Sequence, residues 1–207
     1  MTRPILYHCP DARSLRCLWA VEEAGLDVDL RVLKFPPRAF EPDYRAVNPL
    51  MTVPGWVEDG RLMTESAAIC ERIAEDTSLE VRRDEPDYWD YRNWLHRSDA
   101  TLTFPLAIMI RYTRVEVPER RLAQAVDDYK AFFGGRAKSI EAALSDGRDW
   151  LVAGRFTIAD IAIGYAAFLG TTLGADDVLG EATKEWLARC MAREGFQSAR
   201  ARQKAAA

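Results

Sequence analysis

Strand-like segments in this 207-residue chain occur only within its first 80 residues, and this limits the possible folds more than any other feature. A short apolar run at residues 4–7 and an alternating run at 28–33 lie on either side of an apolar helical face that Gly25 ends. Strands placed around a helix in this way predict a β-α-β unit, in which two parallel strands are joined by a right-handed crossover.

A β-hairpin and a further helix are predicted after an irregular, proline-rich connector. Residues 55–58 and 61–63 flank Asp59-Gly60, a turn pair that is typical of hairpins. Thr64-Glu65-Ser66 then opens a helix. The order β-α-β, connector, β-β-α predicts an α/β domain at residues 1–78.

The strand signals vanish from about residue 87, and long apolar stripes at helical spacing predict an all-helical domain at residues 87–207. Pro105 is expected to kink or end the first of these helices. Residues 157–160 (Thr-Ile-Ala-Asp) resemble a capping box with Asp in the Glu/Gln place. The charge-rich segment 76–86 is expected to link the two domains.

Charge and hydropathy exclude several classes of function. The net charge is −4 and the positive charges are not clustered, so no nucleic-acid partner is expected, and Arg200, Arg202 and Lys204 are expected to form a solvated, frayed end. No run approaches the roughly 18 apolar residues of a membrane span, and the N-terminus lacks a signal peptide's apolar stretch, so we expect no membrane partner and a cytoplasmic location. The scattered cysteines and histidines predict neither a disulfide framework nor a metal site.

The segment from Val53 to Ser66 carries the clearest indication of chemistry. A proline such as Pro54, just before a strand, favours a cis turn that exposes the backbone N–H and C=O of Val53 to an extended peptide. Ser66 lies at a helix N-terminus, where free N–H groups and a hydroxyl make an anion site, and Glu65 can accept from an ammonium group. Together these groups suit a short peptide with a free α-amino acid end.

Four segments of the chain resemble motifs of the cytosolic glutathione transferases. Asn48-Pro49 with Val53-Pro54 forms an N-P-x-x-x-V-P motif, and Glu65-Ser66 follows it across the hairpin, as in the glutathione site of that family. Glu22-Glu23-Ala24-Gly25 matches the first helix common in bacterial and plant members, and residues 156–160 match the capping motif of the helical domain. The resemblance therefore spans the chain.

This resemblance implies a thioredoxin-like N-terminal domain that binds glutathione as a co-substrate, followed by an all-α helical-bundle domain that receives a hydrophobic electrophile. It implies glutathione transferase activity of the detoxification type, without a metal. It also implies a homodimer, in which the first domain of one chain meets the helical domain of the other.

The resemblance assigns roles to four residues in the glutathione site. Val53 would pair through its main chain with the cysteinyl part of glutathione, and Pro54 would be cis. Glu65 and Ser66 would hold the γ-glutamyl amino and carboxylate groups. Many members have Lys before V-P, where this chain has Thr52.

Because Thr52 stands where many members have Lys, another residue must bind the glycyl carboxylate of glutathione. Arg38 and Arg45, both in the irregular connector, are the two candidates. Each would supply a guanidinium, which suits a carboxylate. The sequence does not choose between them.

The residue that activates the glutathione thiol is sought in the turn after the first strand, because a free thiol has a pKa of about 8.5. The position that carries Ser or Cys in many relatives falls on Asp11, whose charge would raise the pKa of a nearby thiolate. Ser14 ranks first as a hydroxyl donor near a helix N-terminus. Tyr7, at the place of a catalytic phenol in the tyrosine-type classes, and Cys9, which precedes a proline, rank behind it. Arg13 is a fourth candidate, which could supply positive charge near the thiolate.

Three functions remain possible on these residues. The leading hypothesis is attack of glutathione thiolate on a hydrophobic electrophile. The second is a glutathione-dependent thiol transferase that uses Cys9 and requires a depressed thiol pKa. The third is a non-catalytic binding protein with the transferase fold, because a fold does not imply a function.

Overall fold

The computed structural model describes residues 3–206 and divides the chain into two compact units. The first comprises the chain up to Glu80 together with the segment from Met191 onward, and the second is Val81–Cys190. This division differs from the predicted domains, 1–78 and 87–207, in its treatment of the C-terminal segment. The domain boundaries themselves stay a prediction.

The first unit contains a four-stranded mixed sheet in the order β2-β1-β3-β4. Strand β1 is parallel to β2 and antiparallel to β3, and β3 is antiparallel to β4. Asp59 and Gly60 turn the β3–β4 hairpin with φ angles of 48° and 77°, the positive values that a two-residue hairpin turn requires. The sheet is thioredoxin-like, as predicted, and its strands are β1 (Ile5–His8), β2 (Asp29–Val32), β3 (Gly55–Glu58) and β4 (Arg61–Met63).

The helices divide between the two units. The first unit holds α1, α2, α3 and α9, and α1 packs against both α3 and α9. The second unit is all-helical, as predicted. The helices of the described residues are α1 (Ser14–Ala24), α2 (Pro37–Phe40), α3 (Ser66–Ala74), α4 (Tyr88–Arg97), α5 (Phe104–Ile110), α6 (Ala123–Leu144), α7 (Ile158–Thr172), α8 (Glu181–Met191) and α9 (Glu194–Ala205).

The C-terminal segment forms helix α9, so the expectation of a frayed, solvated tail is wrong. The ring of Phe196 packs edge-on against the Trp19 ring, with centroids 4.9 Å apart. Arg202 donates to the Glu22 carboxylate at 2.7 Å and to the Val28 carbonyl at 2.8 Å. These partners lie far away in sequence, which is why the local charge pattern did not predict them.

Between α4 and α5 the chain passes through a π-helical segment, Ser98–Thr103. Pro105 lies in the first turn of α5, where the missing N–H of proline breaks no helical hydrogen bond. Regular α-helix therefore ends at Arg97, before the proline, and resumes at Phe104. No helix within residues 3–206 is both long and apolar enough to cross a bilayer.

The predicted capping box is present at the start of α7. Thr157 Oγ1 accepts from Ala159 N, and the Asp160 carboxylate accepts from Thr157 N at 3.0 Å. Asp160 is fully buried and also accepts from Leu151 N at 3.0 Å and from the Trp186 indole at 3.1 Å. Burial raises the pKa of Asp160 to about 6, although these hydrogen bonds lower it.

Replacement of Asp160 by Ala should strongly destabilise the second unit. The change leaves the N–H groups of Leu151, Thr157 and Trp186 buried without their acceptor. We expect a loss of about 3 kcal/mol or more in the free energy of unfolding, measured by urea denaturation. Asp127→Ala, at an exposed position of α6, is the control, and an equal effect of both changes would contradict the assigned role.

Candidate functional site

The loop before β3 is fixed by hydrogen bonds to one carbonyl. Thr52 O accepts from the Tyr44 hydroxyl at 3.0 Å and from the Asn48 side-chain amide at 2.8 Å. Asn48 is fully buried, and its Oδ1 accepts from Leu50 N at 3.0 Å. The Val53–Pro54 peptide is cis, as predicted. Within the described residues the N–H and C=O of Val53 make no hydrogen bond, which leaves both groups available to a ligand.

Tyr7 lies beside this loop. Its ring contacts the Tyr44 ring with centroids 5.0 Å apart, and it is opposite Gly55 in the β1–β3 pairing. Gly55 approaches the Tyr44 hydroxyl so closely that a β-carbon would collide with it. The Tyr7 side chain is half-buried, and across residues 3–206 its hydroxyl has no hydrogen-bond partner. This phenol can therefore donate to a bound group.

The N-terminus of α3 lies at the same end of the hairpin as the Val53–Pro54 loop. Trp56 is opposite Met63, so the residues before β3 and those after β4 meet at one edge of the sheet. Glu65 is the N-cap residue of α3, in extended conformation and exposed. Its neighbour Ser66 is the first residue of the helix and is buried. The topology thus brings the predicted peptide and amino-acid sites to one edge.

Ser14 and Cys9 are placed differently from what their predicted roles require. Ser14 begins α1 and is fully buried, and its hydroxyl accepts from Cys9 N at 3.2 Å and donates to Cys9 O at 3.3 Å. The Cys9 thiol is also fully buried, and burial, with a smaller effect of Glu41, raises its pKa to about 12. The Ser14 hydroxyl therefore holds the turn together, and Cys9 lacks the depressed pKa of a reactive thiolate.

Asp11 directs its carboxylate at α9. Its oxygen forms an ion pair with Arg200 and accepts from the Gln203 amide at 2.8 Å. Asp11 has a positive φ of 58°. The charge that the sequence places in this turn is therefore paired, and its effect on a nearby thiolate is smaller than that of a lone carboxylate.

His8 is joined to this cluster through Gln203. Because a carboxylate only accepts, the Gln203 nitrogen faces Asp11 and its oxygen faces the His8 Nε2, 3.0 Å away. His8 Nε2 therefore donates, and the fully buried ring is neutral. Burial lowers the pKa of His8 to about 4, against smaller raising effects of Gln203 and the Ser14 backbone. Its Nδ1 has no partner in the described part of the chain.

The sequence did not single out several groups that support the site. Tyr44 bonds to Thr52 O, and Gln203 bonds to His8 and Asp11 far away in sequence, and no local sequence pattern predicts these contacts. Arg16 interrupts the apolar face of α1. A charged residue at such a position indicates a side chain that is buried with hydrogen-bond partners, and this signal was present in the sequence. The two arginines considered for the glycyl carboxylate, Arg38 and Arg45, are both exposed, so the choice between them stays open.

Comparison with known proteins shows what this chain is similar to. Residues 12–76 match the family described as the glutathione S-transferase N-terminal domain. Glutathione S-transferase 3 of Schizosaccharomyces pombe is 31% identical over 101 residues, which cover 47% of this chain and 42% of that protein. Residues 12–76 of this chain are therefore similar to the N-terminal domain of the glutathione S-transferases. It matches less than half of the length of this curated relative.

Solved glutathione transferases share the fold of the whole chain. A glutathione transferase of Methylococcus capsulatus strain Bath has a TM-score of 0.83 at 22% identity, with 98% of this chain and 99% of that chain covered. The nitrogen regulation fragment of the yeast prion protein Ure2p has a TM-score of 0.81 at 21% identity, with 96% of both chains covered. Another structure of Ure2p is a complex with glutathione. At these identities the likeness establishes the fold alone.

His8 should make the stability of this chain depend on pH between about 4 and 6.5. In that window the unfolded chain binds a proton at His8 that the folded chain does not, so the free energy of unfolding rises with pH. The drop from pH 7 to pH 4 attributable to His8 is on the order of 3 kcal/mol. His8→Gln retains a donor but cannot titrate, and should remove this part of the slope.

The measurement is denaturant unfolding at several pH values, compared between wild type and His8→Gln. Asp160 contributes an opposite slope, because its pKa is raised, and it cancels in the comparison. His96→Gln, at an exposed position, controls for the loss of a histidine. Parallel curves for wild type and His8→Gln would show that His8 is not the buried neutral group.

Proposed function

We propose that the protein is a glutathione-dependent transferase. The observation that carries this proposal is the edge of the first unit, where the unpaired backbone of Val53 lies at the same end of the hairpin as the N-terminus of α3. The name of the S. pombe relative and the glutathione in the Ure2p complex support the same ligand. In the reaction the thiolate sulfur supplies the electron pair of a new C–S bond to a hydrophobic electrophile, whose leaving group departs with its own pair.

Each part of glutathione has a matching group in this arrangement. The N–H and C=O of Val53 pair with the cysteinyl backbone, as in the addition of a strand to a sheet edge. Glu65 accepts from the α-ammonium group of the γ-glutamyl part. Ser66 and the free N–H groups at the start of α3 bind its α-carboxylate. Arg38 and Arg45 remain the alternatives for the glycyl carboxylate.

Tyr7 is proposed as the residue that stabilises the thiolate. Its half-buried hydroxyl is unpaired within the described residues and lies next to the loop that would hold the cysteinyl part. A hydrogen bond donated to sulfur favours the charged form and lowers the thiol pKa. The sequence ranks Ser14 first, but its buried hydroxyl already forms hydrogen bonds with the Cys9 backbone.

The second candidate is a glutathione-binding protein without transferase activity. The burial of Ser14 and Cys9 favours it, because two of the four groups proposed for thiol activation are then inaccessible. A thiol transferase that uses Cys9 is the weaker alternative, since that thiol has a raised pKa. With the leading function we also propose a role in detoxification, a cytoplasmic location and a homodimer, all of which follow from the family.

The thiol pKa of bound glutathione should separate these functions. Ultraviolet absorbance of the thiolate, followed against pH, should give for the wild type a value well below the roughly 8.5 of a free thiol. Tyr7→Phe should return the pKa toward that value while leaving stability unchanged. Ser14→Ala should keep the depressed pKa but lose about 1–3 kcal/mol of stability, because the buried Cys9 N–H loses its acceptor.

The outcomes differ for each function. A depressed pKa that persists in Tyr7→Phe and disappears in Ser14→Ala would return the role to Ser14. Bound glutathione with an ordinary thiol pKa in the wild type would favour the non-catalytic protein. Absence of glutathione binding at millimolar concentration would overturn both.

A further inference from the structure

Helix α1 contains a fully buried arginine that touches the proposed glutathione site from inside the protein. Arg16 has no exposed surface, and its Nη1 lies 3.0 Å from Ser66 Oγ, which is also buried. Other contacts also hold the Arg16 side chain. The guanidinium therefore reaches Ser66 from within the packed interior of the first unit.

The direction of this hydrogen bond determines what Ser66 can do. A guanidinium has only donors, so Ser66 Oγ must accept from Arg16. The hydrogen of the Ser66 hydroxyl then points elsewhere, and no group among residues 3–206 accepts it. A buried donor without an acceptor, at the first residue of α3, is a group prepared for an anion.

We propose that Arg16 is a positioning residue that sets Ser66 to donate its hydroxyl hydrogen to the α-carboxylate of the γ-glutamyl part of glutathione. The inference rests on the proposed function, since it names how that site recognises one end of its ligand. Arg16 does not touch the ligand and acts through Ser66. Its fixed positive charge also favours a carboxylate next to the helix N-terminus, where the dipole has the same sign.

The test compares two ligands on wild type, Arg16→Met and Arg16→Lys by calorimetric binding. The ligands are glutathione and its analogue γ-aminobutyryl-cysteinyl-glycine, which lacks only the α-carboxylate. Arg16→Met should weaken glutathione binding about tenfold, the size of one hydrogen bond to a charged group, and leave the analogue unchanged. Arg16→Lys retains a charged donor and should recover part of the loss. In turnover assays Arg16→Met should raise KM for glutathione and leave kcat near that of the wild type.

Two further variants separate positioning from general damage. Arg72→Met removes an exposed guanidinium from the same helix as Ser66, where it pairs with Glu58 and Glu75, and should leave both affinities unchanged. Ser66→Ala should weaken glutathione as Arg16→Met does, and the double change should add little to Ser66→Ala, because the two residues act as one unit.

Four results would overturn the inference. Equal weakening of glutathione and the analogue would make Arg16 a purely structural residue, and additive losses in the double variant would separate it from Ser66. If Arg16→Met does not fold, the same comparison in Arg16→Lys decides. If the wild type does not bind glutathione, the proposed function is overturned as well. If the wild type binds glutathione and Arg16→Met binds it with the same affinity, only this inference is overturned.

Discussion

A buried guanidinium must be met by acceptors, because the removal of a charge from water without hydrogen bonds is costly. Arg16 imposes this requirement at the centre of the first unit, between α1 and the start of α3. The other side of α1 is held by α9, where Arg193 binds the Glu23 carboxylate with two nitrogens at 2.8 and 2.7 Å. Helix α1 is thus fixed on both sides by charged groups, and the edge that carries the proposed site depends on where it lies.

In the turn between β1 and α1, the buried polar groups are likewise met by hydrogen-bond partners, which here are neutral groups and one ion pair. Ser14 satisfies the backbone of Cys9, and the side chain of Gln203 joins His8 to Asp11. These hydrogen bonds engage Ser14 and Cys9, two of the residues that the sequence suggests for catalysis. The turn is therefore shaped by groups that already have protein partners, and a group that meets a thiol must come from outside this set.

Short-range patterns predicted much of this fold, and long-range contacts explain the rest. The Asp59-Gly60 turn, the capping box that ends at Asp160 and the cis bond before Pro54 each depend on a few adjacent residues, and all three are present. The role of α9 was not predicted because Arg202 pairs with Glu22, a residue 180 positions earlier, and the whole second unit lies between them in the sequence. The burial of the Ser14 hydroxyl could not be predicted for a related reason, since burial is a property of the packed unit and not of the helix start.

The polar groups of the first unit that lack protein partners indicate one kind of ligand. Within residues 3–206 these include the backbone of Val53, the Tyr7 hydroxyl and the hydrogen of the Ser66 hydroxyl. Buried or half-buried polar groups in native proteins are normally satisfied, so groups left open on a packed scaffold indicate a partner that completes them. An extended backbone and two hydroxyl donors match the thiol peptide with a free amino-acid end that we propose as the ligand. Tyr7 lies on strand β1, Ser66 lies at a helix terminus, and the loop of Val53 is held by the hydrogen bonds to Thr52 O, so these groups would require little reorganisation on ligand binding.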